Sequence, residues 1–114
     1  MSLRPRQHQW VTYAAGILLA CGATHASAQS SPAEQRGLTF VLANCGQCHS
    51  VDKATESPLK AAPPFRTLHL RYPVEDLAES LGEGIRTGHP TMPEFRLDPG
   101  QVGDVIAYLK TLGR

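Results

Sequence analysis

This chain of 114 residues has few charged and aromatic residues and no long apolar run, and each shortage limits what the protein can be. Charged side chains make up 18% of the sequence and nearly balance, at a formal net charge of +1, so a basic nucleic-acid-binding surface is not expected. No run of 18 uninterrupted apolar residues occurs, which disfavours an ordinary membrane-spanning helix. Aromatic residues reach only 6%, few for the core of one small domain. Small domains of this kind usually need a further source of stability, such as a bound group.

Sulfur-containing residues are also few, with three cysteines and two methionines. Two of the cysteines lie in the stretch Cys45-Gly46-Gln47-Cys48-His49, which reads C-x-x-C-H, the attachment signature of a c-type haem. Each thiol can add to one haem vinyl group, and the adjacent histidine can bind the iron. The sequence therefore predicts one covalent haem c, attached through Cys45 and Cys48 and ligated by His49.

A haem iron in an electron carrier usually has a sixth ligand, and a methionine thioether is a common one. Met1 is the initiator, which leaves Met92 as the sulfur candidate. Met92 lies in a loop stiffened by Pro90 and Pro93, whereas a core-filling methionine would be expected on an apolar helix face. Met92 is the predicted second axial ligand of the iron. Two histidines, His89 and His69, are the competing candidates.

A C-x-x-C pair has two other common uses. A thioredoxin-like redox motif needs a βαβ setting, and no strand pattern appears in this sequence. A structural zinc site needs two more cysteine or histidine ligands at regular spacing, which His69 and His89 do not provide. Both alternatives fit less well than haem attachment.

Residues 1–28 resemble a secretory signal peptide, with Arg4 and Arg6 ahead of an apolar run and an Ala-Ser-Ala site ending at Ala28. Cleavage after Ala28 predicts export to the periplasm and a mature monohaem domain over residues 29–114. An uncleaved anchor and lipidation at Cys21 are the alternatives. Because Arg4 and Arg6 are the only charged residues of the leader, its removal changes the formal net charge from +1 to −1.

Periodicity predicts an all-α domain. Ser31 and Glu34 form a capping box around Pro32, which favours a helix that runs directly into the haem motif. Its predicted apolar positions are Leu38, Val41, Leu42 and Cys45. A loop over 50–64 follows, then a second amphipathic helix with apolar positions from Val74 to Ile85 that ends at Gly84 or Gly88. A last helix is predicted to begin at Asp98-Pro99.

Two further roles can be proposed around the haem. A carbonyl of Pro63 or Pro64 can accept a hydrogen bond from the second ring nitrogen of His49, which would fix the orientation of that ligand. Guanidinium groups match the geometry of haem propionates, and the candidates are Arg66, Arg71, Arg86 and Arg96.

Together these motifs resemble class I cytochromes c of the small bacterial monohaem type, over residues 33–112. The resemblance rests on Gly37 before the C-x-x-C-H motif, the Pro63-Pro64 pair, the Met92-Pro93 loop and a closing helix that contains Tyr108. It implies three main helices wrapped around one covalently bound haem, with the first and last helices crossing near Gly37 and Tyr108. The lysine ring of mitochondrial relatives is not evident, so their docking partners do not carry over.

The resemblance implies a periplasmic single-electron carrier that cycles between Fe(II) and Fe(III) and is not an enzyme. Its expected partners are redox proteins, a dehydrogenase as donor and an oxidase or reductase as acceptor, with no nucleic acid. The mature form is expected to be soluble and not to span a membrane. The alternative is a cytochrome c subunit of a larger dehydrogenase or oxidase complex. A gas sensor or peroxidase with an open coordination position on the iron is a third hypothesis.

Overall fold

The computed structural model describes residues 28–84 and 91–114. Within these ranges the chain forms three α-helices and two short 3-10 helices, and no strand. The helices are α1 (Pro32–Asn44), α2 (Leu77–Glu83) and α3 (Pro99–Leu112), and the 3-10 helices span Phe65–Leu70 and Val74–Asp76. The all-α prediction is confirmed. The predicted leader up to residue 27, the lipidation site Cys21, and the candidates Arg86 and His89 lie outside the described residues.

Helix α1 begins as its sequence predicts. The Ser31 hydroxyl accepts the N–H of Glu34 at 3.2 Å, and the Glu34 carboxylate accepts the N–H of Ser31 at 2.8 Å. These reciprocal bonds satisfy two N–H groups that a helix start leaves without partners. The helix ends at Asn44, and its C-cap is Cys45, where the haem motif starts. One predicted apolar position differs, because Leu42 is 55% exposed whereas Val41 is fully buried.

The second helical region is shorter and less regular than its periodicity predicts. A 3-10 helix precedes α2. The Asp76 side chain makes no capping hydrogen bond to the first turn of α2, so the start of this helix lacks the capping bonds that α1 has. The helix ends at Glu83, and its C-cap is Gly84, one of the two predicted glycines, whose φ of +113° is disfavoured for residues with a side chain. Ile85, the last predicted apolar position, lies outside the described residues.

Helices α1 and α3 cross in direct contact, as the resemblance implies. A Cβ at Gly37 would overlap the backbone carbonyl of Asp104 and lie 2.8 Å from the Cβ of Tyr108. Only a glycine lets the two backbones approach this closely. The ion pair between Arg36 and Asp104, with two contacts of 2.7 Å, closes the crossing on its outer side.

The buried core lies between these helices and the two connecting segments. Its buried members are all aliphatic: Val41, Val51, Leu68, Val74, Leu97, Val105, Leu109 and Leu112. Among the described residues, no helix combines the length and the apolar character that crossing a membrane requires.

Candidate functional site

The C-x-x-C-H motif forms a compact turn at the end of α1. The N–H of Cys45 donates to the Val41 carbonyl at 2.9 Å, which carries the helical pattern into the motif. The Cys45 carbonyl then accepts the N–H groups of Cys48 at 3.1 Å and His49 at 2.9 Å. These bonds bring the two cysteines and the histidine onto a single turn. The two thiols do not form a disulfide.

The His49 ring is buried and held in one orientation. Its Nδ1 lies 2.8 Å from the Pro63 carbonyl oxygen, so an Nδ1–H donates to that acceptor and leaves Nε2 with its lone pair. The carbonyl of the next residue, Pro64, accepts instead from the N–H and hydroxyl of Thr67 at 3.0 and 2.8 Å. The predicted proline partner is thereby resolved as Pro63. The Phe65 ring packs beside the imidazole, with ring centres 4.8 Å apart.

An apolar cleft opens beside the motif and reaches all three α-helices. Its cavity volume is about 150 Å³. Cofactor sites are mostly apolar with a few placed polar groups, as this cleft is. The residues that line this cleft are Phe40, Val41, Cys45, His49, Pro63, Phe65, Leu68, Tyr72, Leu77, Leu81, Met92, Phe95, Leu97, Val105 and Leu109.

All four predicted haem-binding residues meet at this place in the fold. Cys45, His49 and Met92 line the apolar cleft, and an adjoining cleft is lined by the same three residues together with Cys48. Met92 therefore shares a wall with His49 although 43 positions separate them along the chain. The competitor His69 is exposed and lies against Gly113 at the end of α3.

The site fits a c-type haem better than a metal ion alone. Among the described residues, no group of three or more His, Cys, Asp or Glu side chains is arranged to hold an ion. Burial raises the pKa of the Cys45 thiol to about 11, so the thiol without a bound group is protonated at neutral pH. An apolar cleft with a fixed imidazole and a thioether on its walls suits a porphyrin.

Six residues of the cleft were not predicted from the sequence: Phe40, Phe65, Leu68, Tyr72, Phe95 and Leu97. Phe40 directly precedes Val41 on α1. It would have been predicted if the apolar face of the helix had been taken to include the neighbouring position. Tyr72 follows the first 3-10 helix, outside any regular helix. Apolar residues there do not recur at a helical period, so the sequence pattern does not indicate which side chains face the cleft. Of the arginines predicted for the propionates, Arg66, Arg71 and Arg96 are described and none of them lines the cleft. Arg66 instead bonds to Ser50, Thr55 and Glu56.

A comparison with protein families agrees with this site, since the model for cytochrome c matches residues 34–113. The chain belongs to the cytochrome c family. It is an electron-transfer haem protein, its cofactor is a covalently bound c-type haem, and it exchanges electrons with redox-partner proteins. Cys45 and Cys48 are positioned as in the C-x-x-C-H attachment motif. Comparisons with curated proteins and with solved structures gave no match.

Proposed function

We propose that this cytochrome c is a periplasmic single-electron carrier whose haem is attached to Cys45 and Cys48, with His49 and Met92 as the axial ligands of the iron. The observation that carries the proposal is the shared cleft: the fixed imidazole of His49 and the thioether of Met92 lie on the walls of the same apolar space. When bound, haem supplies the Fe(II)/Fe(III) couple.

The protein side chains have distinct tasks in this proposal. His49 keeps its Nε2 lone pair available because Nδ1–H is committed to Pro63. Met92 offers a soft sulfur ligand that favours Fe(II) and raises the potential. The aliphatic and aromatic walls would shield a bound haem from water, and two protein ligands would leave no coordination position for a substrate. Electron transfer without bond chemistry is the activity that this arrangement supports.

The periplasmic location is supported by the sequence of the leader, which has an Arg-containing start, an apolar stretch and a small-residue site ending at Ala28. The proposed partners are a dehydrogenase that donates electrons and an oxidase or reductase that accepts them. Cleavage after Ala28 would release the haem domain from the membrane and let it diffuse between two such partners.

The axial ligands are tested by absorption spectroscopy of the native ferric protein. We expect a low-spin spectrum with the weak far-red charge-transfer band of a sulfur–iron bond. Met92→Ala should remove the band, lower the reduction potential and open the iron to cyanide or carbon monoxide. His69→Ala is the matched control and should change none of these. A wild type without the band, together with a change to high-spin iron in His89→Ala, would assign the ligand to His89 instead.

Mass spectrometry of the haem protein isolated from the periplasm tests the processing of the leader. The mass of the haem protein should correspond to a chain that begins at Gln29. A mass with a lipid on Cys21, or recovery of the protein only from membranes, would contradict the freely diffusing carrier and favour a fixed cytochrome subunit of a larger complex.

A further inference from the structure

The loop that follows the haem motif brings the partner of His49 back to it. Residues 50–62 leave the motif and return, and the two ends of the loop are paired. The N–H of Phe65 donates to the Ser50 carbonyl at 2.9 Å, directly beside the bond from His49 to Pro63. The distance between the imidazole and its acceptor therefore depends on how firmly these two ends are held together.

Arg66 joins the two ends through its side chain. Its Nη1 donates to the Ser50 hydroxyl at 3.1 Å and to the Thr55 carbonyl, while Nη2 reaches the Glu56 carboxylate at 3.0 Å. Ser50, the residue directly after His49, is only 2% exposed, and its hydroxyl also lies 3.3 Å from that of Thr55. The Arg66 side chain is itself 23% exposed. One guanidinium thus connects three points of the loop to the segment that carries Pro63.

We propose that Arg66 is a positioning residue for His49: by holding Ser50 and Thr55 against the segment after Pro63, it maintains the hydrogen bond that orients the imidazole. This inference rests on the proposed function, because it takes His49 as an iron ligand. It gives Arg66 a role different from the propionate binding considered from the sequence. Its contacts run to the loop behind the motif, and it does not line the apolar cleft.

The reduction potential can distinguish positioning from a simple effect of charge. A hydrogen bond accepted from Nδ1–H makes a ligating imidazole more basic, which stabilises Fe(III). Weakening that bond should therefore raise the potential. Removing a positive charge near the iron also stabilises the oxidised state, which carries more positive charge, and should lower the potential. The two mechanisms predict shifts of opposite sign.

The experiment compares Arg66→Lys with Arg66→Gln in the native haem protein. Lysine keeps the charge but cannot place planar, paired donors on Ser50, Thr55 and Glu56 at once. The matched control is Arg36→Lys, which breaks the two-contact ion pair with Asp104 at the helix crossing, away from His49. We expect Arg66→Lys to raise the potential and Arg36→Lys to leave it unchanged.

A second measurement follows the hydrogen bond itself. In the ferrous protein, exchange of the His49 Nδ1–H with solvent can be followed by nuclear magnetic resonance. Loosening the acceptor should accelerate this exchange about fivefold in Arg66→Lys, the factor that corresponds to one ordinary hydrogen bond. The exchange rate in Arg36→Lys should match the wild type, provided that both variants retain the native circular dichroism spectrum.

Ser50→Ala removes the hydroxyl that Arg66 contacts and keeps the proposal testable if an Arg66 variant does not fold. It should shift the potential in the same direction, and the double variant should shift it by less than the sum of the two single changes. An unchanged potential and exchange rate in Arg66→Lys would overturn the inference, as would a potential lowered only in Arg66→Gln. A wild-type spectrum that lacks histidine ligation would instead refute the proposed function.

Discussion

At the scale of single residues, Asp52 organises the turn that follows the haem motif. Its Oδ1 accepts the N–H groups of Ala54 at 2.7 Å and Thr55 at 2.6 Å, and its Oδ2 accepts the Thr55 hydroxyl at 2.6 Å. The hydroxyl bond and the two backbone bonds all favour the ionised form, and they lower the pKa of Asp52 from 3.8 to about 2.

This lowered pKa predicts how Asp52 contributes to stability as the pH changes. The contribution of the carboxylate is complete above the unfolded pKa of 3.8 and is lost as the pH falls toward the folded pKa of about 2. Asp52→Asn keeps an oxygen acceptor for the backbone bonds but has no charge to titrate. We therefore expect the unfolding free energy of this variant, measured by denaturant titration, to fall less steeply across this range.

If Asp52→Asn and the wild type lose unfolding free energy equally steeply in acid, the bonds to Ala54 and Thr55 do not lower the pKa of Asp52 in the folded chain relative to the unfolded chain.

Single residues of the site were predictable to different degrees. The C-x-x-C-H motif has a fixed spacing, so it identified Cys45, Cys48 and His49 without a structure. The choice between Pro63 and Pro64 was open, because it depends on which carbonyl the following 3-10 turn uses, and Thr67 takes that of Pro64. The contacts of Arg66 were not predictable, since they depend on how the loop over 50–62 folds back.

At the scale of secondary-structure elements, the crossing of α1 and α3 depends on Gly37. Gly37→Ala would place a methyl group against the backbone of Asp104, where no side-chain rotation can relieve the overlap. The helices would have to separate, and overpacking of this kind costs about 1–3 kcal/mol. We expect a loss of unfolding free energy in this range by urea titration of the haem protein.

Gly103→Ala is a matched control for this substitution within α3. A Cβ at Gly103 would meet no atom within 4 Å, so only the helix propensity changes. This variant should gain roughly 0.5–1 kcal/mol, because alanine loses less backbone entropy in a helix than glycine. If both variants were stabilised, the close contact at Gly37 would not be required for the fold.

The elements were predicted well where local chemistry specifies their ends. Capping boxes at Ser31 and Asp98 fix the starts of α1 and α3, and both starts are confirmed. The second helix was predicted too long, because an apolar period describes a buried face but does not distinguish a 3-10 turn from an α-helical one. Neither the capping boxes nor the apolar periodicity of single helices could predict the cleft, because residues of all three helices line it.

At the scale of the whole molecule, charge is small in total and unevenly distributed. The chain after Ala28 would carry a formal net charge of −1 before haem is attached. Four acidic residues, Glu75, Asp76, Glu79 and Glu83, are exposed on and before α2. Among the cations, Arg66 is paired with Glu56, and Lys110 with Glu75. Because the net charge of the molecule is small, its long-range field is weak.

A weak field predicts electron transfer that depends only modestly on ionic strength. Steered association between strongly charged partners gains about 10–10³ in rate and loses it as salt is added. Here we expect the rates with an anionic probe, ferricyanide, and a cationic probe, hexaammineruthenium, to stay within about one order of magnitude between roughly 0.01 and 0.15 M salt, over which the screening length falls from about 30 to about 8 Å. Stopped-flow measurements on the mature protein provide the comparison. A steep fall with one probe and a steep rise with the other would mean that the acidic residues around α2 act together as a steering surface, and the partner would then be expected to carry a basic one.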